Sequence, residues 1–198
     1  MTSIIKVDTL QKANGSTPTA ADLGINTTGT VLQVKQNIYD TAAAINTSYA
    51  GGNGYSMSGW DFTGVSLAFT PFSSSSRIIL NSTINFATTN HGERISFKIV
   101  RDTGSINPVT GMGAIDGSRR MCHSSSLYFT FGSDEHTAEI SMYAYDEPST
   151  TNTVTYKVYV NQNASAGATV FINRPDNNGN AFYIPKTIST LTGFEVAQ

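Results

Sequence analysis

Alternation of apolar and polar positions is the dominant signal along this chain. Val154 to Val160 reads Val-Thr-Tyr-Lys-Val-Tyr-Val, so Val154, Tyr156, Val158 and Val160 share one side of an extended strand, and Thr155, Lys157 and Tyr159 the other. The same period of two runs through Ile78, Leu80, Ile84 and Phe86, through Ile95, Phe97 and Ile99, and through Ile140, Met142 and Ala144. Shorter runs lie at Val31 to Ile38, Val65 to Phe69, Leu127 to Phe131, Val170 to Asn173 and Ile188 to Val196. A strand with an apolar row needs a facing sheet, and its backbone groups need neighbours, so the pattern predicts a layered all-β domain. About eight to ten strands spaced by turns, with no long helical stretch, predict an antiparallel β-sandwich, jelly-roll-like. A closed single barrel is the alternative, because a strand count does not assign strands to sheets.

Turn residues divide these runs. Pro71 ends the strand at Phe69, Ser73 to Ser76 is a polar turn, and Thr88 to Gly92 is a hairpin-like connection. Ile140 to Tyr145 and Thr153 to Val160 are expected to form a hairpin across Asp146 to Thr150. Two long loops are expected. In residues 40–59, Ala42, Ala43 and Ala44 could seed a helical turn before a run of glycines; in residues 102–118, Gly104, Pro108, Gly111, Gly113 and Gly117 break any period. Phe182 and Ile184 precede Pro185 after a loop at 174–180. Residues 46–60, 102–118 and 174–180 are the candidate distal loops.

The first residues differ from the rest. Ile4, Ile5, Val7 and Leu10 are followed by polar Lys12 to Pro18, with Asn14-Gly15 as a turn signal. So few large apolar side chains cannot bury a core of their own. The chain is therefore divided into an extended N-terminal arm, 1–30, and a sandwich domain, 31–198. Ile4, Ile5, Val7 and Leu10 are the candidate docking contacts of the arm, on a particle or a neighbouring subunit.

Charge narrows the function classes. Charged residues are only 13% of the chain and the net charge is −2, against the roughly 25% charged residues usual in soluble domains. There is no excess of basic residues to neutralise phosphates, so no nucleic acid partner is expected. Cys122 is the only cysteine, which excludes a disulfide within the chain and suits folding in a reducing cytoplasm. No apolar run is long enough to span a bilayer, and Met-Thr-Ser-Ile-Ile-Lys lacks a signal-peptide core, so neither membrane insertion nor standard secretion is expected.

Candidate chemistry is sparse. His91 with Glu93, and Asp134 with Glu135 and His136, bring imidazole near carboxylate, but neither cluster supplies the three or four convergent ligands of a metal site. Cys122 and His123 are adjacent, and neighbours on an extended chain point to opposite faces. The carboxylates show no spacing that singles out a facing pair for sugar hydrolysis. No enzyme activity, cofactor or metal is expected.

The aromatic residues carry more. Tyr143 and Tyr145 lie on the parity opposite to Ile140, Met142 and Ala144, and Tyr159 opposite to Val158 and Val160. Large side chains on both faces suggest a second face covered by another subunit, which makes Tyr143, Tyr145 and Tyr159 candidate interface residues. Tyr49, Tyr55 and Trp60, set among Asn and Ser in the first long loop, are candidate sugar-stacking residues.

The two ends carry a family resemblance. Ser3 to Gln11, Thr30 to Gln36 and Ile188 to Gln198 resemble the opening and closing segments of small structural proteins of tailed bacteriophages, especially those of marine bacteria and cyanobacteria. Phe69-Thr70-Pro71-Phe72 with Ser73 to Leu80 is similar to the segment these proteins place before a long strand. The resemblance implies a virion fibre, spike or decoration protein, made in the host cytoplasm, with a trimeric β-sandwich head and an attachment arm. It implies no catalytic residues. Expected partners are two further copies in a homotrimer, other virion proteins of capsid, tail or fibre, and host surface carbohydrate. Alternatives are a purely architectural decoration or adaptor protein and, ranked lower, a surface-polysaccharide depolymerase.

Overall fold

The computed structural model describes residues 9, 11–18, 28–47, 54–89, 93–124, 127–129, 134–163 and 169–198. Ile4, Ile5, Val7, Leu10 and Tyr49 lie outside them. Among the described residues there is no helix; the elements are β1 (Val31–Tyr39), β2 (Ala43–Asn46), β3 (Asp61–Phe69), β4 (Arg77–Thr88), β5 (Glu93–Asp102), β6 (Ile106–Pro108), β7 (Leu127–Phe129), β8 (Ala138–Asp146), β9 (Val154–Asn163), β10 (Thr169–Ile172) and β11 (Ser189–Val196).

Their pairings are nested. β1 pairs with β11, β2 with β10, β3 with β9, β4 with β8 and β5 with β7, all antiparallel. The chain is thus one long ribbon doubled back about β6 and the segment that follows it. A second set of contacts rolls this ribbon up: β4 takes β11 along Arg77–Thr83 and β10 along Phe86–Thr88, and β5 takes β9 along Arg94–Asp102. One sheet then runs β1-β11-β4-β8, with β2 and β10 beside it; the other runs β3-β9-β5, with β6 and β7 on the far edge. From β2–β10 inward the nested pairs alternate between the two sheets, which is the topology of a jelly roll, and β1–β11 extends the first sheet.

Three local expectations change. Neither β4 with β5 nor β8 with β9 forms a hairpin, because in each pair the first strand lies in one sheet and the second in the other. Ala43 and Ala44 are in a strand rather than a helical turn, held by Ile172 and Phe171 across the ladder. Within 102–118, Ile106–Pro108 pairs with Val100–Asp102. In the first two the competing influence is a strand distant in sequence, whereas the third is a tight local turn between Asp102 and Ile106.

The apolar rows read from the sequence meet in the middle. Ile78, Leu80, Ile84, Phe86, Met142 and Leu191 from one sheet face Val65, Leu67, Phe69, Ile95, Phe97, Ile99, Val154, Tyr156, Val158 and Val160 from the other. The Phe86 and Phe97 rings cross edge to face at 5.0 Å between centroids. Val109 and Met112, from the segment after β6, close one end of this core.

That segment is tied down by a buried carboxylate. Asp146, at the end of β8, accepts hydrogen bonds from Arg101 Nη1 at 2.9 Å, the Tyr156 hydroxyl at 3.1 Å, and Thr110 N and Oγ1 at 3.0 and 3.1 Å. A charge without exposure is tolerated here because its oxygens are bonded and a guanidinium neutralises it. Burial, and then the nearby carboxylate, push the Tyr156 hydroxyl well above its ordinary pKa, so it stays a donor. At the other end of the chain Gly29 N donates to Ala197 O and Ala197 N to Thr30 O, continuing the β1–β11 ladder into the last arm residues. Asn14-Gly15 forms the turn its sequence predicts, with Gly15 at φ 81° and Ser16 N bonded to Asn14 Oδ1.

Candidate assembly surface

Side chains alternate across β1, β11, β4 and β8, so half of them face away from the core. The register sets Val34, Phe194, Ile79 and Tyr145 in one cross-strand row on this outer face; Gln36, Thr192, Asn81 and Tyr143 form the next, and Ile38, Thr190, Thr83 and Ser141 the one after. Val31, Val34, Ile38, Ile79, Tyr143 and Tyr145 are all exposed, Tyr143 by 71%. Single exposed apolar residues are ordinary; a set on three strands of one sheet, with half-buried Phe194 of β11 between them, is a patch.

The patch has relief. Arg77, Ile79, Gly111, Tyr143, Ala144 and Tyr145 line a shallow hollow of about 320 Å³ at the end of β8. Its floor is fixed on three sides. The Arg77 guanidinium lies 4.8 Å from the Tyr145 ring centre and bonds Glu147 at 2.6 Å. Gly111 N donates to Tyr145 O at 2.9 Å, and a Cβ at position 111 would stand 2.6 Å from the ring, so only glycine lets the loop lie this close.

Tyr159, the third tyrosine read as an interface residue, is elsewhere. It lies on the outer face of the opposite sheet and is only 9% exposed, so it shares no surface with Tyr143 and Tyr145. Phe62 packs on it at 5.6 Å between ring centres, and it joins Trp60 and Val100 in a small second core, with Met57 and Cys122 against it. What covers that face is the protein's own loop.

Trp60 anchors this cover. It is 6% exposed, and Lys98 Nζ lies 4.2 Å from its ring centre and donates to Ser56 O at 3.0 Å. Burial lowers the Lys98 pKa to about 8, with the Cys122 side chain opposing the shift and Arg120 adding to it. The Tyr55 hydroxyl donates to Gly113 O, and Gly54 bonds Arg119 O and Met121 N, which joins the two long loops. For Trp60 to stack on a sugar, this loop would have to lift.

Cys122 and His123 do not combine. His123 Nδ1 accepts the Ile99 N–H at 3.0 Å, and burial, with Lys98 nearby, lowers its pKa to about 4. Burial pushes the Cys122 thiol up, away from the reactive thiolate. Among the described residues no three His, Cys, Asp or Glu side chains gather where they could hold a metal ion. His91 lies outside the described residues.

One feature is absent from the sequence reading. Phe182, 101% exposed, and Tyr183 stand in the loop before β11 with their rings edge to face at 5.3 Å. Two adjacent aromatics between Asn180-Ala181 and Ile184-Pro185, outside any alternating run, were the available signal.

No family model matches this chain, and no curated protein matches it in sequence. Among solved structures it is similar to infectious bursal virus derived T=1 particles, at 12% identity and a TM-score of 0.40, covering 85% of this chain and 37% of that one. It is also similar to infectious bursal disease virus of the Gx strain, at 13% identity and TM-score 0.38, and of the Gt strain, at 10% and 0.39; each covers 85% of this chain and 39% of the other. The chain thus spans less than two fifths of the length of these structures.

Proposed function

We propose that this chain is a non-enzymatic structural protein of a virion, a fibre, spike or decoration component that assembles as a homotrimer through the outer face of the β1-β11-β4-β8 sheet. The observation that carries the reading is the exposed row from Val34 to Tyr145, with Tyr143 beside it, on a surface otherwise poor in charge. Such a face gains by being covered. The phage-like segments at both ends agree with it, and the arm, 1–30, is the part that reaches the particle through Ile4, Ile5, Val7 and Leu10. The test has two arms. Sedimentation of the purified protein should give a trimer that Tyr143→Glu dissociates, and gold-labelled chain should decorate intact particles. A protein that is monomeric at all concentrations, or particles without label, would overturn the proposal.

A second reading is favoured by Trp60. Its burial supports a purely architectural role, with no receptor, over sugar contact by Tyr49, Tyr55 and Trp60. Under it, Trp60→Ala destabilises the loop without a separate effect on adsorption to cells. Loss of glycan binding by a variant with unchanged stability would restore the receptor reading.

A further inference from the structure

We infer that the contact between copies is a knob in a hollow: Phe182 of one chain seats in the depression between Ile79, Tyr143, Tyr145 and Gly111 of another. The inference rests on the assembly proposed above and names its anchor.

The knob is unusual for its position. Phe182 has no cover at all, and Tyr183 braces its ring. Ordering an aromatic with two rotatable bonds costs less entropy than ordering a long flexible side chain, and buried aromatics dominate interface energetics. The hollow is complementary in kind, with aromatic and aliphatic walls and the Arg77–Glu147 pair at its rim. Lys186, exposed in the knob's own loop, is opposite in charge to Glu147, which is only half-buried.

The two cannot meet within one chain. The knob's loop is fixed at the end of the sheet where β1 stops: Thr187 N bonds Asn173 O, Asn173 Nδ2 bonds Tyr39 O, and Asn177 N bonds Asp134 O. The hollow is at the other end, because Tyr145 and Ile79 pair near the finish of β8 while Ala138 pairs with Phe86 near its start. Seven residues of strand separate these ends by roughly 23 Å. A knob and a hollow at opposite ends of one sheet satisfy each other only between molecules, and a closed symmetric arrangement uses each once per copy.

The experiment uses the full chain. Sedimentation across a concentration series should show self-association that Phe182→Asp weakens by roughly 30-fold or more in Kd, while Ile115→Asp, at an exposed apolar site off this face, leaves it unchanged. A photoreactive phenylalanine analogue at position 182 should crosslink to peptides of a second copy containing Ile79 or Tyr143 to Tyr145. An oligomer that Phe182→Asp leaves intact, or crosslinks that map elsewhere, would overturn this contact and leave the assembly reading standing. A monomeric wild type would remove both.

Discussion

Gln33 and Glu195 face each other across the first and last strands of the jelly roll, and Gln33 Nε2 donates to Glu195 Oε2 at 2.5 Å. The carboxylate is fully buried; its other oxygen accepts Phe72 N at 2.8 Å and Ser73 N at 3.2 Å, while Gln33 Nε2 also reaches Thr70 O at 2.8 Å. One side chain therefore joins both ends of the chain to the turn between β3 and β4. Glu195→Ala removes the buried carboxylate that accepts from Gln33, Phe72 N and Ser73 N, and should cost about 2–3 kcal/mol in urea denaturation. Glu147→Ala, which breaks a half-exposed ion pair, should cost less than about 1 kcal/mol. Equal losses would refute this ranking.

The Asp146 network makes a steeper prediction. Asp146→Ala strands Arg101 and frees Thr110 and Tyr156, and should cost about 3–5 kcal/mol, whereas Tyr156→Phe removes one bond for about 1 kcal/mol. Hydrogen exchange should show the segment around Thr110 opening in the first variant and holding in the second.

His123 sets an acid limit. Its folded pKa, about 4, lies below the ordinary value of 6.5 because the buried ring resists a charge. Between these values the unfolded chain binds the extra proton, so the contribution to stability is complete above about pH 6.5 and is lost as pH falls towards 4. His123→Asn keeps an acceptor for the Ile99 N–H and removes the titration. Its midpoint of thermal unfolding should depend less on pH in this window; an unchanged pH profile would exclude His123 as the source.

Gly193 in β11 lies under the Phe69 ring, where an added Cβ would stand 2.9 Å from the ring carbons. Gly193→Ala should cost about 1–3 kcal/mol through overpacking. Adding Phe69→Leu should recover part of that loss in a double-mutant cycle, and strictly additive effects would show that the two do not touch.

The strands themselves were legible because one face of each is buried, and burial imposes a period of two that survives in the residue types. Ile78 to Phe86 and Val154 to Val160 announce their inner faces without help. The turn at Asn14-Gly15 and the stop at Pro71 follow from local backbone limits and were equally readable. Sheet membership was not, since an alternating row is satisfied by any facing sheet; β8 and β9 look like a hairpin until the roll of the ribbon sends them to different layers.

The same reason divides the tyrosines. Tyr143 and Tyr159 sit on equivalent parities of similar strands, and nothing local distinguishes them. Register places Tyr143 opposite Asn81 on the exposed outer face, one row from Tyr145 and Ile79, while Trp60 and Met57, from a loop about a hundred residues upstream of Tyr159, fold over Tyr159. Alternation reports which way a side chain points; only the path of distant segments fixes what, if anything, lies there to meet it.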